Sequence, residues 1–147
     1  MKKIILTVLA IAAGLAIAGG TAIAGEYGAQ KAVYHVNGGD EKQNIAALRN
    51  IQNHINAVGV ENIEIKVVMH SGGVNLLARA LQNEDIRSRV DSLKTQGVQF
   101  QVCANTLRGK GIDREKDLYE VAESDIVPSG VAHLAHLQGQ GYTYIKP

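Results

Sequence analysis

The sequence predicts a three-layer α/β sandwich of the flavodoxin-like kind, built on a mainly parallel five-stranded sheet. Three observations predict it. Short β-branched runs alternate with segments of helical period from Lys31 onward. No two-residue hairpin turn separates neighbouring runs, which implies parallel strands joined by helical crossovers. No internal repeat or low-complexity linker interrupts the alternation, so one domain accounts for Gly25–Pro147.

The elements follow in order. KAVYHVN, Lys31–Asn37, reads as the first strand and stops at Gly38-Gly39-Asp40. Asp40 is placed to cap a helix whose apolar positions Ile45, Leu48, Ile51, Ile55 and Val58 recur at helical spacing, and Gly59 ends it. IEIKVVMH, Ile63–His70, is the second strand, closed by Ser71-Gly72-Gly73. Val74, Leu77, Ala80 and Leu81 then make a short helix. Asp85 is expected to cap the next one, with Ile86, Val90 and Leu93 inward and Gly97 as its stop.

VQFQVCA, Val98–Ala104, is the third strand and runs into a polar turn carrying Arg108 and Gly109. DREKDLYEVA, Asp113–Ala122, follows as a short charged helix with Leu118 and Val121 as its apolar contacts. SDIVPSG reads as a brief fourth strand ending at Pro128, and Ser129 caps Gly130–Gly139. YTYIKP closes the chain as a fifth strand, with Tyr142 and Tyr144 on one face and Thr143 and Ile145 on the other.

The N-terminus bears on compartment. Lys2 and Lys3 precede an apolar stretch from Ile4 to about Ala18, and Ala22-Ile23-Ala24 fits the small-x-small rule for signal peptidase. The expectation is a cleaved signal over residues 1–24 and a periplasmic or secreted mature domain, with no membrane attachment after cleavage. The alternative is an uncleaved N-terminal membrane anchor, since the apolar character is long enough to span a bilayer. Removing Lys2 and Lys3 takes the formal net charge from +1 to −1. With no basic excess, no Trp and one Phe, nucleic-acid binding is excluded as an expected function.

In a parallel sheet of this kind, ligand sites lie outside the carboxyl ends of the strands. Four polar turns are therefore expected to converge on one rim. They offer Asn37, Gly38 and Gly39, then Ser71 and Gly72, then Asn105 and Thr106, then Ser129 as candidate ligand-binding positions. Glycines at such places serve tight turns or close backbone approach to a small anion. NGGD is not the dinucleotide fingerprint, and RGKGI lacks the upstream Gly and the following Ser/Thr of a P-loop, so no cofactor is expected.

The chain has one cysteine, so Cys103 cannot form an internal disulfide. Its functional reading is a thiolate, stabilised by free N–H groups of Asn105, Thr106 or Leu107 and by nearby Arg108, with His70 as a proton shuttle. The competing reading is a small buried hydrophobe that completes the third strand. The Cys-x4-Arg spacing resembles the active-site loop of rhodaneses and is one residue short of the tyrosine-phosphatase loop. His35 reads as a packed residue of the first strand. On the last helix, Val131, Leu134, Ala135 and Gln138 form one arc and put His133 and His136 on the solvated side. Those two make no closed metal site, and no metal is expected.

The strand order, the Cys-ended third strand in VCANTLRG, and the tail VPSGVAHLAHLQGQGYTYIKP resemble the DsrE/DsrF-like family, over about Lys31–Pro147. The tail resembles its exported, uncharacterised branch. The resemblance implies a flavodoxin-like sandwich, assembly into homo-oligomeric trimers or hexamers, and a cysteine that carries sulfur as a persulfide to a partner protein. Cys103 matches that cysteine by position. The expected function is thus sulfur handling by a carrier rather than a turnover enzyme. The alternative is a small-ligand-binding or assembly module with an inert buried cysteine.

Overall fold

A computed structural model describes residues 26–147; the expected signal segment and the cleavage point lie outside the described residues. Five strands form one sheet in the order β4-β3-β2-β1-β5, and every neighbouring pair is parallel. The strands are β1 (Gln30–Val36), β2 (Ile63–Met69), β3 (Gln99–Cys103), β4 (Ile126–Val127) and β5 (Thr143–Ile145). The helices are α1 (Glu41–Val58), α2 (Asn75–Ala80), α3 (Glu84–Thr95), α4 (Ala104–Lys110), α5 (Arg114–Asp117) and α6 (Gly130–Gly139). This is the flavodoxin-like α/β sandwich. Strands β1 to β4 run consecutively across it, and β5 returns beside β1.

Strand alternation sorts the side chains onto two unequal faces. Ala32, Tyr34, Val36, Ile65, Val67, Met69, Phe100 and Val102 point to one side and pack with Leu48, Ile51, Leu76, Leu77, Ile86 and Leu93 of α1, α2 and α3. Each such aliphatic side chain contributes about 1.5–3 kcal/mol when removed from water. Val33 and Val68 point to the other side, where Leu134 and Leu137 of α6 cover them together with Tyr142. The second face also carries His35, His70, Gln101 and Cys103. Among the described residues α6 is the one helix that covers it, and His35, His70 and Gln101 lie at its margins.

Local signals account for most boundaries. Asp40 caps α1 by accepting from the Gln43 N–H at 3.0 Å. Gly59 follows α1 with φ 92°, which a residue with a Cβ adopts only under strain. Ser129 caps α6 by accepting from the Ala132 N–H.

Several expectations are corrected. The α3 cap is Asn83, whose side chain accepts from the N–H groups of Asp85 and Ile86; Asp85 sits in the first turn and pairs with Arg89 at 3.0 Å. Leu81 is 38% exposed, and Leu76 takes the inward place. The charged helix shrinks to α5, because Leu118 is already extended, although Leu118 and Val121 are both buried. The polar turn after the third strand is helical, as α4. On α6 the buried positions are Gly130, Leu134 and Leu137, whereas Val131 is 66% exposed. His133 therefore faces the sheet, where its Nε2 meets Gln101 Oε1 at 2.9 Å, and only His136 is exposed.

Candidate functional site at the ends of β3 and β4

The two adjacent strands β3 and β4 send their connections to opposite faces of the sheet. From β3, α4 sets Leu107 against the larger core, while from β4, α6 covers the smaller one. Such a divergence opens a crevice at the carboxyl ends of the strands, where open α/β sheets place their ligands. Cys103 is the last residue of β3, pairs in register with Val127, and is also the N-cap of α4. The thiol thus lies where the two helices begin.

Gly130, the first residue of α6, sits directly over it. A Cβ on Gly130 would lie 3.3 Å from Cys103 Cβ and 3.1 Å from His70 Cβ, so the glycine lets the helix come this close without its neighbours giving way. Burial pushes the Cys103 thiol up. The N–H of Gly130, the N–H and hydroxyl of Thr106 and the N–H of Asn105 offset this as nearby donors, and the thiol is held below its ordinary value. Backbone dipoles at helix starts favour an anion in this way. The sulfur residue is nonetheless only 4% exposed.

Arg108 does not join this cradle. Its guanidinium donates to the side-chain oxygen of Asn105, and the groups that lower the thiol are all amides and one hydroxyl. The expected cation beside the sulfur is therefore replaced by uncharged donors. Thr106 has a double role, since its Oγ1 also accepts from the Ser71 N–H at 2.9 Å.

His70, at the end of β2, reaches away from α4 toward β1. Its Nε2 meets Nε2 of His35 at 2.7 Å, and its Nδ1 meets Ser71 Oγ at 3.0 Å. His35 Nδ1 in turn meets the Tyr144 hydroxyl at 2.6 Å. The ring centroids of the two histidines are 4.7 Å apart. Burial, then the His70 and Lys146 charges, lower His35 to about 4, while burial and Lys146 lower His70. His35, read from sequence as a packing residue, is thus half of a histidine pair. The signal for it was parity, because His35 and Val33 share a strand face, but the partner strand's register was needed to see it.

The four turns do meet at one rim, with many of their polar groups turned to each other. Asn37 receives the Lys146 ammonium. The Gly38 carbonyl accepts from Asn44 at 3.3 Å and the Gly39 carbonyl from Arg79 at 2.7 Å. Asn44, 0% exposed, is also bonded by Arg79 at 2.7 Å, a buried polar clamp that the sequence did not reveal. A Cβ on Gly72 would lie 2.6 Å from the Gly39 nitrogen, and one on Gly73 would lie 1.9 Å from the Val36 carbonyl oxygen. These glycines let the β1 and β2 turns cross. Ser129 is occupied as the α6 cap. Among the described residues no three His, Cys, Asp or Glu side chains gather as a metal site.

A lone cysteine held below its ordinary pKa where a parallel sheet changes the face of its connections defines the class: a flavodoxin-like protein with a candidate sulfur nucleophile at the strand ends. The model of the DsrE/DsrF-like family matches residues 30–147, and the chain belongs to that family, which is associated with sulfur relay. A solved structure similar to it is that of MTH1491, a protein of unknown function from Methanobacterium thermoautotrophicum. The two share 37% identity with a TM-score of 0.70, over 80% of this chain and 99% of that one. No curated protein matches this chain.

Proposed function

We propose that this protein is an exported sulfur carrier in which Cys103 accepts sulfane sulfur, holds it as a persulfide and passes it to a thiol acceptor. In the loading step the Cys103 thiolate attacks the outer sulfur of a donor R–S–SH. A new S–S bond forms, the donor S–S bond breaks, and its electron pair departs on R–S⁻, which takes up a proton. No external oxidant or reductant is needed. The observation that carries the reading is the place of Cys103 at the end of β3, where α4 begins and Gly130 of α6 packs over it; there the amides of Gly130, Thr106 and Asn105 favour the anion that must attack. The N-terminal sequence supports export, and the likeness to the family supports assembly into a homo-oligomer. Light scattering on the mature protein that found only monomer at micromolar concentration would remove the assembly.

The test of the carrier role is intact mass after exposure to a persulfide or polysulfide donor. A single reducible sulfur adduct, absent from Cys103→Ser, supports it. No adduct, or the same adduct in Cys103→Ser, defeats it. A second reading, an assembly or small-ligand module with an inert cysteine, draws on the 4% exposure of Cys103. It requires that the native thiol stay unreactive toward even the smallest thiol reagents until the protein is unfolded.

A further inference from the structure

We propose that Tyr144, His35, His70 and Ser71 form a reversible proton relay serving the sulfur chemistry at Cys103; this rests on the carrier reading above. Three contacts carry it: Tyr144 Oη to His35 Nδ1 at 2.6 Å, His35 Nε2 to His70 Nε2 at 2.7 Å, and His70 Nδ1 to Ser71 Oγ at 3.0 Å. All four ring nitrogens are engaged. Two neutral imidazoles can meet Nε2 to Nε2 only when one donates and the other accepts. The two rings must therefore carry opposite tautomers.

The chain then has two arrangements. In the first, Tyr144 O–H donates to His35 Nδ1, His35 Nε2–H donates to His70 Nε2, and His70 Nδ1–H donates to Ser71 Oγ. In the second, every bond runs the other way. Passing one proton along the chain converts the first into the second without turning a ring. Burial and the Lys146 charge keep both rings neutral near pH 7, as a two-way relay needs.

The ends are placed for the task. Tyr144 lies on edge strand β5 and is 40% exposed, so it exchanges with water. Ser71 lies at the rim with its N–H bonded to the Thr106 hydroxyl, and His70 stands beside Cys103, since a Cβ on Gly130 would lie 3.1 Å from His70 Cβ and 3.3 Å from Cys103 Cβ. Ser71 also holds φ 52°, a left-handed conformation uncommon for a residue with a Cβ. Strain of this kind clusters at functional sites, where the surroundings enforce it.

Loading uses the first arrangement. As R–S⁻ departs, Ser71 gives it a proton and is refilled from His70, His70 from His35, and His35 from Tyr144, which recovers its proton from water. Unloading uses the second. The acceptor R′–SH gives its proton to Ser71, one proton leaves through Tyr144, and R′–S⁻ takes the outer sulfur from Cys103, restoring the thiolate. One carrier cycle returns the relay to its starting arrangement.

Two measurements test this. Long-range proton–nitrogen NMR spectra of the imidazoles at pH 7 should show His35 and His70 neutral and in opposite tautomers. Two rings with the same tautomer, or a charged ring, would overturn the relay whatever Cys103 does. Stopped-flow loading should compare glutathione persulfide, whose leaving thiolate needs a proton, with inorganic polysulfide, whose leaving group is weakly basic. Tyr144→Phe and His35→Gln should slow the first donor at least about tenfold more than the second, a loss typical of a displaced general acid. Equal slowing with both donors, or none, overturns the relay. Wild-type protein that loads from neither donor defeats the carrier reading instead, and the tautomer result still decides the hydrogen-bond chain.

Discussion

Gly130, where α6 begins, is packed directly over Cys103, where α4 begins. Gly130→Ala should disturb this relationship most directly, because its Cβ would press on Cys103 Cβ at 3.3 Å and on His70 Cβ at 3.1 Å. The helix must retreat, and its amide with it. A charge-assisted hydrogen bond contributes about 1.5–3 kcal/mol, so losing it should raise the thiol pKa by about one to two units. Absorbance of the thiolate against pH measures it directly, and an unchanged titration would refute the amide account.

Thr106→Val should act in the same direction through a different donor. The hydroxyl helps to hold the Cys103 thiol low and accepts from the Ser71 N–H at 2.9 Å, so its loss raises the thiol pKa and loosens the β2 turn. Thr106→Ser should retain both bonds. Arg108→Ala should shift the pKa by less than about half a unit, since its charge is turned to Asn105 and screened by solvent. An Arg108 effect larger than that of Thr106→Val would restore the cation to the site.

A thiol that is 4% exposed and held below its ordinary pKa should be selective by size. Small methanethiosulfonates are expected to modify native Cys103 much faster than bulky aromatic disulfides do. In denaturant the two rates should converge. Similar native rates with both reagents would mean that the crevice is open, and slow reaction with both would favour the inert cysteine.

Stability should fall with acid through the half-buried histidines. His35 has its pKa lowered from 6.5 to about 4, so between those values the unfolded chain binds a proton that the folded chain does not. Its contribution is complete above pH 6.5 and is lost as the pH falls toward 4. The size is at most about 3 kcal/mol, reduced by partial exposure of the site. His35→Gln should flatten the dependence of Tm on pH across this window, and a slope equal to wild type would contradict the assignment.

Gly73→Ala should be among the most destabilising single changes in the turns, because the new methyl would lie 1.9 Å from the Val36 carbonyl oxygen. Forcing the β1 and β2 turns apart is expected to cost at least about 3 kcal/mol in chemical denaturation. A near-native midpoint would show that the turns have room to separate.

Much of the fold was legible because its signals are local. Alternating β-branched runs marked the strands, and Asp40 and Ser129 declared their helices through side chains that reach only a few residues ahead. Elsewhere two signals competed. Asn83 and Asp85 are both good caps, and only the geometry shows that Asn83 accepts two N–H groups while Asp85 pairs with Arg89. Helix α4 was hidden because seven residues with a single packed Leu107 give no period to read. On α6 the inward arc was misplaced because Gly130, with no side chain of its own, is buried by close approach. The histidine pair needed register: β1 must lie between β2 and β5 before His35 can touch both His70 and Tyr144.

Most donors around the sulfur are peptide groups, and this sets what mutation can reach. Every amino acid except proline supplies the same N–H, so positions 105 and 130 can change their side chains without deleting a donor, provided the chain path holds. Drift at this rim should therefore be limited by bulk at position 130 and by proline at either position. A relative with a different-looking loop after its cysteine can keep the same anion pocket, and a matching loop with proline at the start of α6 would lack part of it.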